Sequence, residues 1–190
     1  MEEIDLAGGR GRLIAGDPSR LAVVLPGAAY LAAYPLLWFA REVIRSRGWS
    51  VLEVLDTWDR SDPQDWAESR TRAAFAHLPH ASRRLLVAKS ISSHAAPMAA
   101  EQAIPAIWLT PLLGEEQVRQ GLAACSAPAL LVGSTADGTW DSRAAAMVAP
   151  ARVLELSGAD HSLQLPGDPL GSIDLLREVT AAIDAFVAGL

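Results

Sequence analysis

The chain has no asparagine, a single lysine (Lys89) and a single cysteine (Cys125) among its 190 residues. Without asparagine there is no acceptor for N-linked glycosylation. One cysteine excludes an intrachain disulfide and points to a reducing compartment. Cys125 ends an alanine-rich helical stretch, where it reads as a small buried apolar residue. No apolar run is long enough to span a bilayer. The acidic start "MEEIDLAGGRGR" has no apolar core of a secretory leader, so a cytoplasmic protein is expected. With 22 acidic against 16 basic residues the net charge is −6, which argues against nucleic acid or an anionic membrane as the main partner. Phosphate-binding glycines are missing too. A loop ending in Lys89-Ser90 would need glycine at 83 and 88, where Arg83 and Ala88 stand, and "GGRG" at 8–11 precedes no strand–helix pair. No Cys/His pair has zinc spacing and no helix carries H-E-x-x-H. Neither cofactor nor metal is expected.

What is present is a series of short apolar runs, often β-branched: "LAVVL" at 21–25, "SVLEVL" at 50–55, "RLLVA" at 84–88, "AIWL" at 106–109, "ALLV" at 129–132 and "RVLEL" at 152–156. Most are apolar throughout, the pattern of strands covered on both faces. "RLIAG" at 12–16 reads as an additional antiparallel edge strand. Helical patterns fill the gaps, over 35–47, 63–79, 91–103, 115–125, 139–149 and 169–188. The first starts on Pro35 and stops before Gly48, and the last repeats Ile173, Leu176, Ile183 and Val187 at helical spacing. No repeat or linker divides the chain, so residues 1–190 are expected to form one domain. Alternating strands and helices predict an α/β fold: a three-layer α/β/α sandwich on a mostly parallel, doubly wound sheet of six to seven strands. Sites in such sheets lie at the carboxyl ends of strands.

Four strand ends carry polar or small residues: "LPGAAY" after the first run, "AKSIS" after the third, "GSTADGTWD" after the fifth and "SGADHSL" after the sixth. In chain order they offer Ser90, Asp137 and His161. A serine hydroxyl needs a base to take its proton and a sharp strand-to-helix turn to present it, with small residues two positions to either side. Here those neighbours are Ala88 and Ser92, where G-x-S-x-G has glycines. His161 is the candidate base and Asp137 the candidate acid that orients it. Gly27 permits a tight turn after the first run. The Ala28 N–H can then aim at a developing oxyanion with the Ile91 N–H, which is free at a helix start.

On "LPGAAY", "AKSIS", "IPAIWLTPLL", "LLVGSTADGTWD" and "GADHSL", the chain resembles the α/β-hydrolase superfamily, specifically its small lidless bacterial members. The resemblance runs from about Leu21 to the C-terminal helix. It implies Ser90 as nucleophile, Asp137 as acid, His161 as base, Ala28 and Ile91 as oxyanion donors, and no cofactor. Only "TPLLGEEQ" separates "AIWL" from the next helix, too little for a lid. The activity implied is a serine hydrolase acting on an ester or thioester of a small or medium acyl group. The rival readings are an acyltransferase using the same triad and a catalytically idle, ligand-binding hydrolase fold. Either a monomer or a homodimer fits.

Neighbouring residues have other expected roles. Lys89 points away from Ser90, so it is not expected to be its base; it reaches solvent or pairs with a carboxylate such as Asp56. Ser92 and Ser93 pack or cap, and His94 lies on the helix surface or is partly buried. Asp141, the rival acid, falls a turn into the next helix, and Asp160 faces solvent. Trp58, Trp108 and Trp140, with Leu112 and Leu113, either wall an apolar acyl pocket or pack at its rim.

Overall fold

The computed structural model describes residues 1–149 and 151–190. The elements, in chain order, are β1 (Glu2–Leu6), β2 (Gly9–Ile14), β3 (Asp17–Leu25), α1 (Pro35–Ser46), β4 (Trp49–Val54), α2 (Pro63–His77) and β5 (Arg83–Lys89). A 3-10 helix, Ser90–Ala95, leads into α3 (Ala96–Glu101). After it come β6 (Ala106–Leu109), α4 (Glu116–Ala124), β7 (Ala129–Ser134), α5 (Ser142–Ala146), β8 (Ala151–Leu156) and α6 (Pro169–Val187). They form one eight-stranded sheet, in the order β1-β2-β4-β3-β5-β6-β7-β8. β3 to β8 are parallel, and β1 and β2 are antiparallel.

The apolar runs become strands because both their faces are covered. In β3, Leu21, Val23 and Leu25 enter the core under α2 to α5, while Ala22 and Val24 enter the core under α1 and α6. β5 divides in the same way, Leu86 and Ala88 to one side and Leu85 and Val87 to the other. Each large side chain buried in this way contributes about 1.5–3 kcal/mol, which keeps the strand in register. Helix starts follow from local chemistry. In "SDP" and "GDP" an aspartate caps and a proline takes the first helical position. The Asp62 side chain accepts from the Gln64 and Asp65 N–H groups, and that of Asp168 accepts from the Gly171 N–H.

The sheet has eight strands where the sequence suggests six to seven. The strand expected at 12–16 lies at Gly9–Ile14, and it is not the edge, because β1 pairs outside it. β1, "EEIDL", alternates charged and apolar residues, as suits an exposed edge. The helical pattern at 91–103 splits because Pro97 has no N–H to bond the carbonyl four residues back. The chain therefore runs as a 3-10 helix until α3 starts at Ala96. Glu53 of β4 is fully buried, between Arg41 of α1 at 3.0 Å and Arg12 of β2 at 3.4 Å. Burial pushes its carboxyl above the usual range, and the two guanidinium groups oppose that.

Candidate active site

The carboxyl ends of β3 and β5 lie side by side, with Leu25 opposite Ala88, and those of β7 and β8 likewise, with Ser134 opposite Leu156. Four loops therefore open on one rim. At the end of β5 the backbone turns sharply into the 3-10 helix, and Ser90 takes φ +55°, in the left-handed region that non-glycine residues seldom adopt. Thr110, after β6, and Leu163, in the loop after β8, are also left-handed, at +45° and +58°. Strained residues gathered at one rim mark a place where surrounding contacts override local preference.

Ser90, His161 and Asp137 form one hydrogen-bonded chain. His161 Nε2 lies 2.7 Å from Ser90 Oγ, and His161 Nδ1 lies 2.7 Å from Asp137 Oδ2. A carboxylate only accepts, so Nδ1 carries the proton and Nε2 is left to accept from the Ser90 hydroxyl. Asp137 is buried, which raises its pKa. The Thr139 N–H, His161 and the Thr139 hydroxyl more than offset this and hold the carboxyl below its ordinary value. Thr139 is the residue that sequence reasoning missed. Its N–H and hydroxyl donate to Asp137 Oδ1 at 2.9 and 2.8 Å, and its oxygen stands 3.1 Å from His161 Nδ1. The signal was there in "DGT", an aspartate two residues before a threonine, the signature of an Asx turn.

The loop after β3 packs against the turn at Ser90. A Cβ on Gly27 would lie 3.0 Å from the Tyr30 Cβ, 3.3 Å from Lys89 Cγ and 3.7 Å from the Ser90 Cβ, so this close approach favours glycine. Ala28 follows on the exposed bend. Ile91 stands second in the 3-10 helix, where N–H groups lack an intrahelical carbonyl. Ser92, fully buried, donates its hydroxyl to the Pro26 carbonyl. It thereby ties the two loops together from the position where G-x-S-x-G has its second glycine. Ser93 Oγ accepts from the Leu112 N–H at 3.1 Å.

Other expected partners lie elsewhere. Asp141 caps α5, accepting from the Arg143 and Ala144 N–H groups. His94 is buried with no partner at Nδ1, and burial lowers its pKa. Asp160 Oδ1 organises the loop after β8 through the Ser162 and Gln164 N–H groups. Lys89 neither reaches solvent nor pairs with Asp56. It is 1 % exposed, and Asp56, beyond β3 on β4's side of the sheet, accepts instead from the Arg10 N–H. The Nζ of Lys89 bonds the Thr110 hydroxyl and, at 2.8 Å, the His161 carbonyl.

The tryptophans do not form a pocket wall. Trp108 and Leu113 are core residues, Trp58 packs at the edge of that core, and Trp140 lies against Gly133, where a Cβ would meet its ring at 2.0 Å. A groove of about 460 Å³ runs beside His161, lined by its chain neighbours Asp160 and Ser162. Its walls include Tyr30, Leu36, Leu163, Leu165, Ile173 and Leu176. Among the described residues, no group of three or more His, Cys, Asp or Glu could hold a metal ion, and no helix is long and apolar enough to cross a membrane.

Neither a protein-family model nor a curated protein matches the chain. Solved structures do. An α/β serine hydrolase homologue from Coxiella burnetii superposes with a TM-score of 0.76 at 13% identity, over 97% of this chain and 95% of that one. Est1E from Butyrivibrio proteoclasticus, solved with ferulic acid bound, gives 0.76 at 14% identity over 100% and 98%. XC6422 from Xanthomonas campestris, an α/β serine hydrolase without lid, gives 0.72 at 14% over 98% and 93%. The fold is that of the α/β hydrolases, and only Thr110–Glu115 stands between β6 and α4, where a lid would enter.

Proposed function

We propose that the protein is a serine hydrolase that cleaves a carboxylic ester or thioester of a small or medium acyl group. The observation that carries this reading is the chain Ser90–His161–Asp137, closed at 2.7 Å on both sides of the imidazole and starting from a left-handed serine. The similarity to structures named as α/β serine hydrolases and as esterases supports the same class.

In the reaction, Ser90 Oγ attacks the acyl carbonyl carbon as its proton passes to His161 Nε2. Asp137 holds the ring and stabilises the imidazolium through Nδ1–H. The carbonyl oxygen becomes an oxyanion between the Ala28 and Ile91 N–H groups, and one such donor is worth about 3 kcal/mol of barrier. The tetrahedral intermediate collapses, the C–O or C–S bond to the leaving group breaks, and His161 gives its proton to the departing oxygen or sulfur. Water then attacks the acyl-serine, with His161 again as base, and Ser90 is released with its proton. The groove beside His161 offers an apolar wall to the rest of the substrate.

A fluorophosphonate probe tests this. Wild type should be labelled covalently, Ser90→Ala should not, and Ser92→Ala should retain labelling. An unlabelled wild type would overturn the proposal. Loss of Ser90 or His161 should lower turnover about a million-fold. Product analysis with a competing alcohol or amine separates hydrolysis from acyl transfer.

A further inference from the structure

Lys89 is the largest fully buried polar side chain among the described residues, and the proposed reaction leaves it unused. Its Cα ends β5, next to Ser90, and its side chain is among the largest fully buried ones in the protein. A buried ammonium is ordinarily paired with a carboxylate, because desolvation of an unpaired charge is costly. Lys89 is held differently. Its Nζ donates to the Thr110 hydroxyl and, at 2.8 Å, to the His161 carbonyl, and it lies 5.2 Å from the centre of the Tyr30 ring. These partners come from the loops after β6, β8 and β3, so one cation joins three of the loops on the rim where Ser90 stands. A methionine could fill the same space without the charge, so the packing alone does not account for a lysine here.

We propose that Lys89 is the positioning residue for the base: its ammonium pins the peptide carbonyl of His161 to the end of β6 and so fixes the direction in which the imidazole leaves the backbone. The His161 ring is held at its two nitrogens by Asp137 and Ser90, and Ser90 must move once it attacks. The ring side chain is 39% exposed, so packing restrains it only in part. The carbonyl anchor, like the Asp137 contact at Nδ1, persists through every step, because Lys89 touches no atom that reacts. The Thr110 backbone is the other fixed end, left-handed and tied to β7 through its N–H bond to the Val132 carbonyl at 2.7 Å.

The groups facing the ammonium are Tyr30 from the loop after β3, Asp137 from the loop after β7, and Asp160 and His161 from the loop after β8. Burial pulls Lys89 down to about 8, partly opposed by the charges of Asp137 and Asp160. The charged clamp is therefore half formed near pH 8, more complete below it and weaker above it. A neutral amine still donates a hydrogen bond, only a weaker one, so the rate should step down to a plateau rather than fall to zero.

This inference rests on the hydrolase reading, and the experiment separates the two. The turnover of a p-nitrophenyl ester is followed from pH 6 to 10 in wild type, Lys89→Met, Lys89→Arg and Thr110→Val, beside fluorophosphonate labelling and thermal melts. Wild type should show a step down near pH 8. Folded Lys89→Met should lose the step and run about 30- to 100-fold slower at pH 7, in kcat rather than KM, the size that a misplaced reacting group produces. Lys89→Arg should recover part of the rate and move the step out of range. Thr110→Val, with one anchor removed, should lie between. A folded Lys89→Met with the wild-type rate and pH profile overturns the positioning role while labelling at Ser90 still stands. Should that variant not fold, a wild-type profile without the step, or a Thr110→Val rate equal to wild type, overturns it instead. A wild type that neither labels nor turns over refutes the hydrolase reading itself.

Discussion

Thr139 touches both partners of the imidazole bond, and its role can be measured without disturbing either. Thr139→Val removes the hydroxyl that donates to Asp137 while keeping the shape and the backbone N–H bond. A hydrogen bond to a charged group is worth about 1.5–3 kcal/mol, so kcat should fall about tenfold or more with little change in KM. Steady-state kinetics on one short-chain ester would check this, and an unchanged kcat would deny Thr139 any part. Asp137 itself was legible because it follows a strand and precedes a glycine; Thr139 was legible only as a turn former. The destination of Lys89 was not legible. Alternation along β5 says that it faces away from Ser90, but what it meets there depends on two loops from more than 20 and 70 residues further along the chain. Its apparent rivals, solvent and Asp56, were the partners that chain-local reasoning could name.

The first turns of helix α6 line the groove, through Pro169, Ser172, Ile173 and Leu176. Ile173 is 60% exposed on the groove wall and lies outside both buried core clusters. Ile173→Trp should narrow the groove at little cost to stability. The expected outcome is a several-fold loss of kcat/KM on octanoyl esters with acetyl esters little affected, read from an acyl-length series. Equal rates across the series would remove the groove from the substrate path. The bounds of α6 were plain in the sequence, since Asp168 and Pro169 mark its start and the apolar spacing its body. β1 was not, because three of its five residues are acidic and its partner, β2, is itself short. An edge strand has only one covered face at most, so the long apolar signature of β3 or β5 is absent from it. The 3-10 helix was hidden for another reason: "SISSHA" runs on into the alanine-rich α3, and the turn at Ser90 and the proline at 97 set its form.

For the molecule as a whole, the buried cation would make stability and the proposed activity respond to alkali in opposite directions. Lys89 is depressed to about 8 in the fold from an ordinary value of 10.5. Between those values the unfolded chain binds more protons than the folded one, so the Lys89 contribution to stability rises with pH, by about 3 kcal/mol in all. The proposed clamp weakens over the same interval. Lys89→Met should therefore be more stable than wild type at pH 7, and the gap between the two should narrow towards pH 10 as wild type sheds its buried charge. Urea unfolding of both proteins at pH 7, 8.5 and 10 measures the gap, and a gap that widened with pH would contradict the sign. The rim itself has a further consequence. Its proposed reacting groups are contributed by segments as distant as Ala28 and His161, brought to one rim by a sheet in which the strands before them, β3 and β8, are separated by β5, β6 and β7. On the proposed reading, a nascent polypeptide emerging from the ribosome would stay chemically silent until nearly all of it had been made, and a prematurely terminated one lacking the final loops would be inert towards the esters around it.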